Sequence, residues 1–495
     1  MPGSRAPAIA LTGLLSLLVA CAVGPDYTEP EADVQTGWTE TESTLVSNKA
    51  ALDPRWWETA FADPVLNELT NDALQQNLTL RSAGLRVLQS QQQLAIAVGN
   101  QYPQQQQIGA LAERQQESGS RFNDYNVSFN LAWELDFWGR FSRQVESASA
   151  DLDASVANYD DAVVSLVAQA AQSYLLLRTF QDRLQIARHN IKLQAESLRI
   201  AQAKLDAGDV SELDVDQATS LLHNTMATVP ALEISLQQTK NALALLLGES
   251  PQEFNQLAGT VGAIPTTTPA VTLGMPQDLI RQRPDVRAAE RQLAAQSAQI
   301  GFAVTELYPH FSIGGSIGTS AMDSDDLFHN DGESWSFFGG FQWNVLNYGR
   351  LQSNIRLQDA VFQQLLVDYR FTVLQAQVDV ENAIVAYLKS HEQVKAYRVA
   401  ATASQKAVDV ATAQYQDGLV DFNTVIGTLN ALASQQDVLA STRGEVASNL
   451  VQVYKALGGG WQIRDNRDPV DLLPASMKET MIERTGAWEG ALQEK

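Results

Sequence analysis

The chain has 495 residues and a formal net charge of −23 at pH 7. That balance excludes a nucleic-acid binder built on a basic face, and the only cysteine, Cys21, excludes an internal disulfide. The five histidines, His189, His223, His310, His329 and His391, are scattered without ligand spacing, so neither a metal site nor a cofactor is expected.

At the N-terminus Arg5 precedes an apolar run from Ile9 to Ala20, too short to span a bilayer and of the length of a signal-peptide core. It ends Leu18-Val19-Ala20-Cys21. Small residues before a cysteine resemble a bacterial lipobox. Residues 1–20 are therefore expected to be removed and Cys21 to carry covalent lipid. Ala22, which is not an aspartate, points to the outer membrane. Elsewhere no apolar stretch reaches 18 residues, so no transmembrane helix is expected.

Residues 21–60 read as the lipidated segment and part of a collar. A first repeat follows over 61–247. The spacing predicts one helix from about Asp63 to Val98, then strands within 105–137. Tyr125, Val127, Phe129, Leu131, Trp133, Leu135 and Phe137 alternate with mostly polar partners, while the segment near Gln107 to Glu113 is a weaker strand. From Arg140 to Ala207 the chain has neither glycine nor proline for 68 residues, or ~100 Å if helical. Its apolar positions, Val145, Ala148, Leu152, Val156, Tyr159 and Val163 onward, step by three and four, a narrow seam for packing beside other helices. Gly208 ends it, and a returning helix is expected over 209–247, interrupted by Pro230.

Residues 248–274 read as a collar insertion, and 275–457 as a second repeat. In it, strands are expected within 310–347. Phe311, Ile313, Gly315 and Ile317 form one face, and Trp335, Phe337, Gly339, Phe341, Trp343 and Val345 form another. A second 68-residue stretch free of glycine and proline runs from Arg350 to Asp417, and a return over 419–457 is expected to be loosened by Gly427 and Gly444. Residues 458–495 close the collar, which is expected to be built from all three non-repeated pieces. The halves keep step at fixed offsets. Tyr102-Pro103 matches Tyr308-Pro309 at 206, and Trp133, Gly139, Arg140 and Gly208 match Trp343, Gly349, Arg350 and Gly418 at 210.

Strands with one apolar face, aromatics toward both ends and lengths of about 9–11 residues fit a transmembrane β-barrel. Phe129, Leu131, Trp133, Leu135, Phe341 and Trp343 are the expected lipid-facing residues. Four strands cannot close in lipid, where every edge N–H and C=O needs a partner, so an oligomer is required; physics alone leaves two or three chains open.

Several blocks carry a resemblance. These are Cys21-Ala22-Val23-Gly24-Pro25-Asp26-Tyr27, Trp56-Trp57 with Phe61-Ala62-Asp63-Pro64, and Arg281-Gln282-Arg283-Pro284-Asp285-Val286-Arg287-Ala288-Ala289-Glu290 with Leu307-Tyr308-Pro309. Together they resemble the TolC superfamily of outer-membrane efflux channels, specifically its OprM/NodT-like lipoproteins, over Cys21 to about Trp461. The resemblance implies a mainly α homotrimer with a 12-stranded β-barrel in outer-membrane lipid on a 12-helix periplasmic α-barrel. It also implies a periplasmic adaptor and an inner-membrane pump of the resistance-nodulation-division type, and a gated exit for small molecules that does no chemistry of its own. The turns at Gly208, Val210, Gly418 and Val420 would meet the adaptor. A gate at those tips would use Asp214, Asp216 and Tyr415. The family's inner aspartates fall at Thr424 and Gly427 and its constricting leucine at Asn423, departures that leave Asp421 as a substitute charge.

Two rivals are weaker. Gly314-Gly315-Ser316-Ile317-Gly318 satisfies the serine-hydrolase pattern but lies in an alternating strand rather than at a strand-to-helix elbow. A lipid-anchored coiled-coil stalk would explain the long helices but not the amphipathic strands. A duct for metal ions or secreted polypeptide remains open, because the pump selects the cargo.

Overall fold

The computed structural model describes residues 22–31, 34–35, 37–39, 46–47, 53–117, 119–252, 262–267, 271–272, 281–329 and 332–492. Among them the first elements are β1 (Val46–Ser47), α1 (Trp56–Phe61), α2 (Pro64–Gln76), α3 (Leu78–Gly99), β2 (Gln105–Glu117) and β3 (Ser120–Leu135). Then come α4 (Arg140–Asp206), α5 (Glu212–Leu247), β4 (Val271–Thr272), α6 (Pro284–Thr305), β5 (His310–Ala321) and β6 (Glu333–Gln342). Last are α7 (Arg350–Gln416), α8 (Phe422–Ala456) and α9 (Ala475–Arg484). Both long helices, α4 and α7, have 67 residues. No described helix is long and apolar enough to cross a membrane. Cys21 and the signal segment lie outside the described residues.

The chain forms two compact units that cut across the two sequence halves, because α4 and α7 each contribute to both. The first unit contains Arg86–Ala157, Arg287–Thr372 and the described residues before position 32. Its centre is an antiparallel sheet in the order β2-β3-β5-β6. The register aligns Ile108, Phe129, Ile317 and Trp335 in one row across the sheet. Leu131, Gly315 and Phe337 form the next row, and Leu135, Phe311 and Phe341 another. Because side chains alternate, these residues and Trp133 share one face. The opposite face carries rows such as Gln107-Asn130-Ser316-Ser336. The weak expectation for β2 is exceeded, since it pairs along 13 residues. β6 ends at Gln342, one residue before Trp343, whose indole N–H donates to Leu307 O at 3.0 Å, as that of Trp133 in β3 does to Gln101 O at 3.1 Å. Ser316 lies in mid-strand with its hydroxyl 2.8 Å from that of Ser336, not at an elbow.

Residues 22–27 lie in this first unit, which corrects the expectation that all of 22–60 joins a collar. Val23 N–H donates to Trp138 O at 3.1 Å, and Arg143 pairs with Asp26 at 2.9 Å. The Tyr27 hydroxyl donates to Glu290 at 2.5 Å, and burial, then Glu290, pushes its pKa up. At Gly24, φ is +97° and a Cβ would lie 2.5 Å from Gly301 Cα, so the close crossing requires glycine. A long-range ion pair and a glycine contact hold the segment there, and neither shows in periodicity.

The second unit contains Asp33–Leu85, Asn158–Val286 and Val373–Lys495. Three departures from expectation occur here. The helix predicted from Asp63 breaks at Asn77, whose side chain accepts from Leu80 N and donates to Leu246 O, both at 2.9 Å. Next, α5 runs unbroken through Pro230. One missing N–H is tolerated because Leu232 packs with Leu184 and Ala187 on the flanking turn. Finally, α8 is also continuous, and Gly444 is a close-packing site: a Cβ there would overlap the Thr179 hydroxyl of α4.

Parts of the non-repeated pieces meet in this unit. β1 pairs with β4 in parallel. Trp56 and Trp57 are fully buried, Trp56 stacks on Tyr454 at 4.7 Å, and its indole donates to Gly459 O. The mid-chain Arg-Pro-Asp motif is a latch. Arg283 donates to Ala456 O at 2.6 Å, at the end of α8, while Asp285 accepts at 2.7 and 3.0 Å. Nearby, burial and then Asp285 raise the pKa of Asp161. Arg464 forms a paired bond with Asp160, which is 0% exposed.

Candidate functional site

The turns after α4 and α7 are built alike. Gly208 (φ +80°) and Gly418 (φ +73°) take the left-handed conformation that stops a helix. Asp209 N–H donates to Lys204 O at 2.9 Å, and Leu419 N–H to Gln414 O at 2.8 Å, which closes the last carbonyls. The chain then re-enters α5 and α8. Beneath the turns Tyr415, Phe422, Val425 and Leu429 are buried with Ala201, Ala218 and Leu221, and Val210 and Val420 pack against this cluster. The spacing Phe422, Val425, Leu429, Leu432 is helical and was visible in the sequence as the signal for this core.

Two of the expected gate residues meet. The Tyr415 hydroxyl donates to Asp214 Oδ2 at 3.3 Å, tying the end of α7 to the start of α5. Tyr415 is 4% exposed, and burial, then the Asp214 charge, pushes its phenol up to about 12, so it remains a donor. Lys204, which sequence reasoning missed, lies over the Tyr415 ring at 5.3 Å. The ring also packs on Phe422 at 5.0 Å.

Asp421 does different work. It is the N-cap of α8, accepting from Thr424 N at 2.9 Å and Thr424 Oγ1 at 2.7 Å. Those bonds hold its carboxyl below the usual range. Asp421 and Thr424 are thus a capping pair. Asp216 and Asn423 are exposed and Leu213 is 61% exposed, so the start of α5 presents three carboxylates, Asp214 bonded to Tyr415 and Glu212 and Asp216 exposed. Farther along, Arg183 of α4 pairs with Asp437 of α8 through two bonds of 2.8 and 2.9 Å, a link with no sequence signal. In the first unit Asp323, Asp325 and Asp326 lie at an exposed turn between β5 and β6; Asp331 falls outside the described residues.

The chain's likeness to known proteins is extensive. The family model described as "Outer membrane efflux protein" matches residues 69–249 and 275–459. Nodulation protein T of Rhizobium leguminosarum bv. viciae is 30% identical over 448 residues, covering 90% of this chain and 92% of the relative. The cation efflux system protein CusC of Escherichia coli is 27% identical over 460 residues, covering 92% and 97%. Among solved structures, the outer-membrane channel OprN superposes with a TM-score of 0.84 at 31% identity, over 89% of this chain and all of that one.

Proposed function

The chain belongs to the outer membrane efflux protein family, whose members are outer-membrane exit channels of efflux systems, and from that premise we propose a trimeric, lipid-anchored duct gated at its helix tips. The observation that carries this reading is the sheet. It has one apolar face, one mainly polar face, and outer edges on β2 and β6 that have no partner strand among the described residues. In hydrocarbon those edges must find partners, and three copies bring twelve strands into one closed barrel. The apolar face then meets lipid and the polar face lines water. The long helices extend into the periplasm, where a periplasmic adaptor binds the tips at Gly208, Val210, Gly418 and Val420. An inner-membrane pump of the resistance-nodulation-division type supplies the energy. The duct itself does no chemistry and holds no metal or cofactor apart from lipid on Cys21.

The proposed cargo is small molecules, probed by conductance and export assays with drugs or toxic compounds. CusC is named for cation efflux, so the same architecture serves another cargo there. Electron microscopy of the detergent-purified protein tests the assembly. A threefold particle enclosing a lumen is expected; a monomeric or dimeric rod without one would return a structural stalk to first place.

Two further outcomes are expected. Mass spectrometry of the mature protein should find an acylated Cys21, and Cys21→Ser should lack that mass; an unmodified wild-type N-terminus would refute the anchor. Asp214→Ala and Tyr415→Phe each remove the 3.3 Å bond at the tip. A net hydrogen bond of this kind contributes about 1 kcal/mol, so the resting open fraction should rise about fivefold in planar bilayers. Unchanged traces for both would remove the pair from the gate.

A further inference from the structure

The polar face of the sheet is not polar throughout. Its rows are Gly109-Ser128-Gly318-Ser334 and Gln107-Asn130-Ser316-Ser336, followed by Gln105-Ala132-Gly314-Phe338. Phe338 thus stands on the face of serines and asparagines, opposite the apolar face that carries Phe337. Its ring is 52% exposed. Among the described residues the other aromatic at matching positions, Phe122, sits at the far, loop end of β3. Gly314 gives the ring its place: a Cβ there would come within 2.6 Å of Phe338 Cζ, so the ring lies over bare backbone along the wall. Below this row the face turns ionic, where Glu134 accepts from Arg140 at 3.1 Å and contacts His310 at 2.9 Å.

We propose that Phe338, lying on Gly314, is an aromatic contact for cargo inside the barrel, favouring aromatic and cationic amphiphilic molecules over small ions. A phenyl face in a wall of hydroxyls and amides offers stacking and cation–π attraction that its neighbours lack. The ring reaches over Gly314, with Cζ and Cε1 at 2.6 and 3.1 Å from where a Cβ would stand, which keeps it beside the wall. The chain's net charge of −23 favours cations in the same space. This inference rests on the exit-duct reading, which makes the polar face the lumen.

The test compares benzyltrimethylammonium with tetramethylammonium as blockers of single channels in planar bilayers. Wild-type current should be blocked at lower concentration by the benzyl compound. Phe338→Ser should weaken that block about two- to fivefold and leave tetramethylammonium unchanged. Phe337→Ser, on the opposite face, should behave as wild type. Should Phe338→Ser give no channels, Phe338→Leu carries the same expected loss. Equal block of wild type and the Phe338 variant, or no preference for the benzyl compound in wild type, overturns the contact while leaving the duct standing. Absence of wild-type channels overturns the duct and this inference with it.

Discussion

Leu131→Arg is expected to keep the strands out of the bilayer, whereas Asn130→Arg, one residue away, is expected to leave insertion intact. Leu131 shares its row with Gly315 and Phe337, between the aromatic positions Trp133 and Trp335 of the apolar face. Asn130 is aligned with Gln107 and Ser316 on the other face. An arginine on the lipid face near the midplane costs about 2–4 kcal/mol. In the proposed three-chain barrel the loss would be roughly 6–12 kcal/mol, comparable with the whole stability of a typical domain. The measurement is the fraction of protein that resists urea extraction from outer membranes. A near-complete loss for Leu131→Arg beside a wild-type fraction for Asn130→Arg is the expected pair. Equal extraction of the two variants would mean that the apolar face does not meet lipid.

Arg464→Ala should be the most damaging single change in the second unit. Asp160 is fully buried, and Arg464 meets it with two bonds of 2.8 and 3.1 Å while also donating to Arg467 O at 2.5 Å. Removing the guanidinium strips two charge-assisted bonds from a carboxylate held out of water. Breaking such a pair costs about 3–5 kcal/mol. The double change Asp160→Asn with Arg464→Met removes both charges and should restore more than half of the loss, because desolvation then no longer opposes folding. Urea midpoints of detergent-solubilised protein measure both. A loss below about 1 kcal/mol for the single change would contradict the burial argument.

The elements that could be read in the sequence are those fixed by local rules. Glycine- and proline-free stretches bounded by Gly208 and Gly418 became α4 and α7 because only a left-handed residue was needed to stop them. Alternation placed Phe129, Leu131, Trp133 and Leu135 on one face, since the pleat has a period of two. What was not legible depends on residues far apart in the chain. Asn77 reads as an ordinary helical position until its amide meets Leu246 O. Gly444 reads as a weak point until Thr179 is found against it. Pro230 reads as a break, but packing of Leu232 holds the helix through it. At the tip, the family resemblance made Asp421 a substitute charge for the gate. The structure adds a local role that the spacing Asp421-x-x-Thr424 already carries, since the same carboxylate caps α8 through Thr424.

The strand order has a consequence for the route by which the protein reaches its fold. β2 pairs with β3, and β5 with β6, across short connections. The central pairing, in which Phe129 meets Ile317, joins opposite halves of the chain. Hairpins close in microseconds, but a contact this remote carries the closure entropy of everything between its partners. The two hairpins are therefore expected to form first and independently, each with an apolar face and open edges. Until the second is made, the first has no native neighbour in its own chain, and its edges are templates for aggregation. Assembly is thus a race between closure and aggregation that is decided late in synthesis, and slowing the chain between β3 and β5 should lower the yield without altering the finished protein.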